Sequence, residues 1–377
     1  MKIKSFFALA ILLAVTFLSG CSSTSDDLTS ESGKQTIYLK LGNVLTKSED
    51  TKLDNTNSVN FNDGYIYFIT SQGGIKDYYK IDNSGNTETA TLKTKVISLS
   101  ALKGNGVSFK NISGEVKKVY IVGNPNLDSD EEATMTAPTT LADLQRIVIS
   151  IKNQGVASDL TIDDLANITA ANQTDFPGSV TGDQEAVVSL LPLCSRIQID
   201  KVTGSSKISA YTLKGLYVNK FYDQMPLNSI PTTGVFDLTD FTSAGYASYS
   251  TMYDNDGSYD TGTGLGGSTL IKSPADSKVW AYQFFVGNAL ITPRVVLVLK
   301  GVTASEGTYS DPQYLNVRGF LDAAGNAVTL ERGHIYEITD LVFKENHLSS
   351  VPDPADINLW VKVSVINWTV NTVTPDI

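Results

Sequence analysis

From residue 35 to residue 370 the chain repeatedly alternates apolar and polar side chains, and this two-residue period constrains its fold more than any other feature. QTIYLKL (35–41) directs Ile37, Leu39 and Leu41 to one side. YIYFIT (65–70), VKKVYIVGN (116–124), SRIQIDKV (195–202), YTLKGLYV (211–218), RVVLVLKGV (294–302), QYLNVRGF (313–320) and HIYEITDLVF (334–343) follow, separated by Gly, Asn, Asp and Ser clusters. Successive side chains of a strand point to opposite faces, so short segments of this period between turn residues predict antiparallel strands. The chain reads as all-β with one or two short helices. TLADLQRIVISIKNQG predicts the first, capped by Thr140, with Leu141, Leu144, Ile147, Val148 and Ile151 near helical spacing and Gly155 as a stop. TIDDLANIT, from Thr161, is a shorter candidate.

The segment from about Asn172 to Glu185 carries Pro177 with several Gly and Asp residues and reads as a linker. It divides the chain into β domains over 35–180 and 181–377. A length of 377 residues agrees with two cores better than with one.

The head of the chain predicts export. Lys2 and Lys4 precede an apolar run from Phe6 to Leu18, and Leu18-Ser19-Gly20-Cys21 closes it. This is the pattern of a lipoprotein signal over 1–20, with Cys21 as the acylated first residue of the mature chain. The run is shorter than the roughly 20 residues of a spanning helix. Residues 21–34 then form a tether. Without the leader, 27 basic residues stand against 40 acidic ones, a net −13. A polyanionic partner needs a basic footprint that such a chain lacks, so nucleic acid is excluded. The five arginines, Arg146, Arg196, Arg294, Arg318 and Arg332, all lie beyond residue 145. Once Cys21 carries lipid, Cys194 has no cysteine to pair with, and the fold must hold by burial.

Residues for catalysis are scarce. His334 and His347 are the only histidines, too few for a His-based metal site or a Ser/His/Asp triad. His334, at the head of a predicted strand, reads as structural. Gly262, Gly264 and Gly267 match G-x-G-x-x-G spacing without the strand and helix that a dinucleotide site requires. DNDGSYD, Asp254 to Asp260, holds oxygens suited to calcium but lacks the spacing of an EF-hand loop. Cys194 lies between apolar residues and reads as a small buried hydrophobe. No enzyme, cofactor or metal is expected.

The strongest single strand is INLWVKVSVINW (357–368). Ile357, Leu359, Val361, Val363 and Val365 share one parity, whereas Ile366, Trp368 and Val370 take the other, so a bulge is expected near 365–366. Burying five aliphatic side chains releases on the order of 7 to 15 kcal/mol before ordering costs. Such a strand can close its own sandwich or add to a sheet of a neighbouring molecule.

An ordered set of segments resembles the fimbrillins, lipoprotein pilins of type V pili. The set comprises QTIYLKLGNVLTKSED, EVKKVYIVGNPN, TLADLQRIV, FPGSV, SRIQIDKV, RVVLVLKG, QYLNVRGF, LERGHIYEITDLVF and VKVSVINW. FPGSV departs from the family's usual Pro-Met-Ser-Gly form, and the Gly-Pro-Gly turn that often follows the Arg-x-His-x-Tyr-x-Ile stretch is absent. The resemblance implies two transthyretin-like β-sandwich domains and a pilus subunit assembled by protease-triggered strand exchange at the outer membrane and cell surface. The displaced first strand would contain Ile37, Leu39 and Leu41. The donor strand would contain Ile357, Leu359, Val361, Val363, Val365 and Trp368. In place of the family's arginine in the first loop stand Lys47 and Lys52. Either a protease cuts there, or the uncut chain stays lipid-anchored as a base or surface-binding subunit. Implied partners are copies of itself or related subunits, membrane lipid through Cys21, and a host or bacterial surface ligand. Tyrosines in NKFYDQM and AGYASYSTMYD would stack on such a ligand.

Overall fold

In the computed structural model the described residues are 33–42, 44–46, 58–82, 95–102, 106–155, 160–174, 176, 178–254, 268–269, 280–287, 291–357 and 359–372. Cys21, Lys47, Lys52, Gly262, Gly264, Gly267 and the 254–260 loop beyond Asp254 lie outside them.

The first half of the chain contributes β1 (Lys34–Leu41), β2 (Val44–Thr46), β3 (Ser58–Phe61), β4 (Gly64–Thr70), β5 (Ile75–Asp82), β6 (Val96–Ser98), β7 (Val107–Ser113), β8 (Val116–Gly123), β9 (Val148–Ser150), β10 (Ile162–Asn167), β11 (Thr169–Ala170), β12 (Gln184–Val188) and β13 (Leu191–Pro192). Two sheets, in the orders β11-β12-β1-β7 and β13-β10-β8-β4-β5-β6, form a sandwich. Phe109 of the first sheet meets Phe68 and Tyr79 of the second, each with ring centroids 4.9 Å apart. Every residue of β4 is buried, because β5 and β8 flank it and both its faces are covered. Tyr67, for example, donates to the Met135 carbonyl at 2.7 Å. Alternation is lost where a strand is covered on both sides.

The second half contributes β14 (Cys194–Ile199), β15 (Lys201–Gly204), β16 (Ile208–Asn219), β17 (Phe221–Tyr222), β18 (Gln224–Pro226), β19 (Val235–Phe236), β20 (Tyr253–Asp254), β21 (Ser268–Thr269), β22 (Trp280–Phe285), β23 (Arg294–Ala304), β24 (Gly307–Thr308), β25 (Gln313–Leu321), β26 (His334–Ile338), β27 (Leu341–Phe343), β28 (Leu359–Lys362), β29 (Ser364–Asn367) and β30 (Thr369–Thr372). Its main sheets run β19-β17-β22-β14-β26-β29 and β20-β16-β23-β25-β28. Two ladders join the halves: β9 pairs with β18, and β30 lies between β2 and β3. Gly33–Ile377 accordingly forms one compact unit.

Four local expectations differ from what the chain does. The helix foreseen from Thr140 to Gly155 lasts one turn, α3 (Leu141–Leu144), the third of three short helices among the described residues after α1 (Leu99–Leu102) and α2 (Glu131–Thr136). A capping box holds its start, Thr140 Oγ1 accepting from the Asp143 amide at 3.1 Å and the Asp143 carboxylate from the Thr140 amide at 3.0 Å. Then come Ile147, Val148 and Ile149, whose branched side chains favour extended backbone, and β18 offers an edge to pair with. TIDDLANIT is the strand β10, because β8 presents a free edge beside it. Gln184 to Pro192, placed beyond the domain boundary by the linker reading, pair with β1, β10 and β11 of the first half. The parity change in the last strand falls after Val363 and not at 365–366. There the chain leaves β25 for β26, and Ser364 and Val365 are exposed in succession.

Candidate functional site

The strand β1 is internal to its sheet although its two neighbours come from later in the chain. It runs antiparallel to β7, with Ile37 opposite Phe109 and Leu39 opposite Val107, and parallel to β12, with Leu39 opposite Ala186 and Leu41 opposite Val188. Ile37 and Leu39 are fully buried, and Leu41 is half-buried. The Gly42 amide donates to the Val188 carbonyl at 2.8 Å and extends the ladder. Removing β1 would expose two facing rows of backbone donors and acceptors with an apolar floor between them, which is a template for another strand.

Two residues that periodicity does not single out fix β1 in place. Phe176 of FPGSV is buried, sits 5.5 Å from the Tyr38 ring and lies under the Lys40 ammonium at 4.8 Å. Gly106 has φ +79°, and a Cβ there would come 2.6 Å from the Leu39 carbonyl oxygen, so only glycine lets that turn approach β1 so closely.

The last strand of the sequence is three strands, each bound within its own chain. β28 runs parallel to β25 and β29 antiparallel to β26, each at the edge of its sheet, while β30 is parallel to both β2 and β3. Of the expected donor residues, Leu359, Val361, Val363 and Trp368 are buried, Ile357 is half-buried, and Val365 is exposed. Trp368 covers Arg196, whose guanidinium carbon lies 5.5 Å from the ring centroid. Burial pulls the Arg196 pKa down to about 10, against the raising influence of Glu337 and Asp200, and Gln198 accepts from its Nη2.

The tyrosine-rich loops turn inward. Tyr222 and Tyr246 are buried, Tyr217 stacks on Tyr253 at 5.7 Å, and Phe236 meets Tyr249 at 4.0 Å. Tyr217, Phe236, Tyr246, Tyr249 and Tyr253 pack on one another and form a small core, and Tyr222 is buried beside them. Cys194 is buried with its Sγ 3.7 Å from Gln154 Oε1, and burial pushes its thiol pKa up, away from thiolate chemistry. His334 donates from Nδ1 to the Arg332 carbonyl at 2.9 Å. Among the described residues no three His, Cys, Asp or Glu side chains converge as metal ligands, and no helix is long and apolar enough to cross a membrane.

No family model matches the sequence, and no curated protein does. Among solved structures, a candidate cell adhesion protein from Parabacteroides distasonis is similar at 10% identity with a TM-score of 0.50, over 90% of this chain and 98% of that one. That likeness shows a shared fold. Similar too are a candidate cell adhesion protein from Bacteroides eggerthii (16% identity, TM-score 0.48, 90% and 98% covered) and a fimbrilin from Porphyromonas gingivalis (10%, 0.47, 90% and 99%).

Proposed function

We propose that this protein is a structural subunit of a cell-surface pilus, exported as a lipoprotein through Cys21 and assembled by strand exchange after a cut in the loop that carries Lys47 and Lys52. The observation that carries the reading is the position of β1, a buried first strand whose loss would leave β7 and β12 as the two walls of an apolar groove. The C-terminal strands are the natural donor. β28 and β29 are edge strands and can leave by giving up one ladder each, and backbone pairing lost in one molecule is regained in the next. Such a contact is head-to-tail and does not close, so repetition makes a fibre. The ordered segments that resemble fimbrillins, and the fold shared with a candidate cell adhesion protein, point the same way. The role is structural and adhesive, not enzymatic, and its place is the outer surface of the cell.

A second reading, a lipid-anchored base or adhesive subunit that does not polymerise, draws on the cis burial of Leu359, Val361 and Val363. The N-terminal residue of protein sheared from cells, read by mass spectrometry, separates the two. A start after Lys47 or Lys52 supports a polymerising subunit. A lipidated start at Cys21 refutes processing and leaves the anchor. Val365 supplies the companion test, because its exposure makes Val365→Asp nearly neutral in the monomer. If 357–365 is the donor, this variant loses its oligomer ladders; ladders equal to those of the parent chain would rule that segment out.

A further inference from the structure

We propose that, as long as β28 stays paired with β25, a pocket beside it binds a sugar bearing a carboxylate, of the uronic or sialic acid type; a subunit that gives up β28 in strand exchange would lose the site. Its wall is Trp360, which is 49% exposed, whereas Trp280 and Trp368 are 3% and 4% exposed. The indole lies face-down on Gly319: a Cβ at that glycine would collide with Cε3, Cζ3 and Cδ2 of the ring together. One face is therefore backed by a strand and the other is open, which is the geometry on which a pyranose ring stacks.

The same pocket is lined by Arg294, Arg318, Lys220 and Asp237. In a chain of net charge −11, this is a site where three cations converge. The pairing of Val295 with Val317 sets Arg294 and Arg318 side by side on β23 and β25, a like-charge pair that needs an anion between its members. Asp353 supplies one from a left-handed backbone, φ +77°. It leaves much of the donor set free. Arg294 reaches Asp353 through Nη1 alone, and Arg318 uses only Nη2, on Asp353 and the Pro354 carbonyl. A guanidinium has five N–H donors, so both arginines keep capacity for a second carboxylate. Lys220 pairs with Asp237 at 3.2 Å in a partly exposed ion pair of the kind that rearranges at little cost. Asp237 can then accept from a sugar hydroxyl.

The test uses the full chain and the neutral quencher acrylamide, because an anionic quencher would compete for the cations. Trp360 dominates the quenchable fluorescence. Methyl glucuronide and N-acetylneuraminate are expected to protect it, methyl glucoside to require roughly tenfold more, the cost of losing a charge-assisted hydrogen bond, and acetate to give no protection. Calorimetry should show glucuronide binding abolished in Trp360→Ala and in Gly319→Ala, which displaces the platform, and weakened in Lys220→Ala. No protection by either acidic sugar, or equal protection by glucuronide, glucoside and acetate, overturns the proposal. The N-terminal analysis above does not depend on this result.

Discussion

Of the five arginines, four lie in the second half and do structural work that no sequence pattern announces. Arg196 is buried and roofed by Trp368, the residue that joins β29 to β30. Trp368→Ala would open a cavity and uncover a buried cation, so a loss of about 3 to 5 kcal/mol is expected in urea unfolding. A loss under about 1 kcal/mol would mean that Trp368 does not anchor the terminal segment. His347 gives a pH-dependent counterpart. Its neutral Nδ1 accepts from the Lys344 amide at 3.2 Å, and burial, with Lys344 nearby, holds its pKa below 6.5. A histidine whose folded pKa is depressed binds its proton more readily when unfolded. Its contribution is therefore present above about pH 6.5 and falls as pH drops through that value toward the folded pKa. Thermal melts of His347→Gln should lack this part of the decline below about pH 6.5. Neither role was legible in the sequence, where both residues look like single polar positions next to apolar ones. What decides them is the partner across the fold.

Single strands were legible to the extent that one face of each is wet. QTIYLKL and HIYEITDLVF alternate because each is covered mainly on one side, and they appear as β1 and as β26 with β27, whereas SRIQIDKV alternates in sequence although every residue of β14 is buried. The errors lay where local and tertiary signals compete. Thr140 and Asp143 do form the capping box that a helix start requires, yet only one turn follows, since β18 captures Val148–Ser150. Thr140→Ala should thus cost only about 1 kcal/mol, the value of a lost cap, and leave the β9–β18 ladder intact by amide exchange. In the sequence the tail reads as one strand because its parity slip resembles a bulge. It is a transfer between sheets, which alternation cannot distinguish from a bulge. In β1 the burial of Ile37 and Leu39 was visible, but the parallel partner β12 was not, since it comes from a segment that reads as linker. Leu39→Ala, at a fully buried site between two strands, is expected to destabilise by about 2 to 5 kcal/mol in the uncut chain. If β1 is removed during maturation, the same substitution will leave the stability of the cut, assembled form unchanged.

At the scale of the whole molecule, the two sandwiches are tied by more than the chain between them, and one buried charge is central to the tie. Asp163 on β10 is 1% exposed and accepts from Tyr120 Oη at 2.7 Å, from the Asn228 amide at 3.0 Å and from Nη2 of Arg332. Tyr120 belongs to the first half, whereas Asn228 and Arg332 belong to the second. Arg332 also reaches the Leu191 carbonyl at 3.1 Å. A buried carboxylate with three donors is satisfied, but one that loses its cation costs roughly 3 to 5 kcal/mol. Arg332→Ala should therefore destabilise strongly, and Asp163→Asn, which removes the charge together with its need for a cation, should do so less. The location of the tie predicts a further effect. Because the charge sits between the two halves, Arg332→Ala is expected to separate their unfolding, turning one calorimetric transition into two. A single transition merely shifted to lower temperature would mean that the β9–β18 and β30 ladders suffice to couple the halves. Coupling through Asp163 also bears on assembly. In the assembly proposed above, a rigid junction at Asp163 would pass load along the fibre instead of letting each subunit bend at its middle.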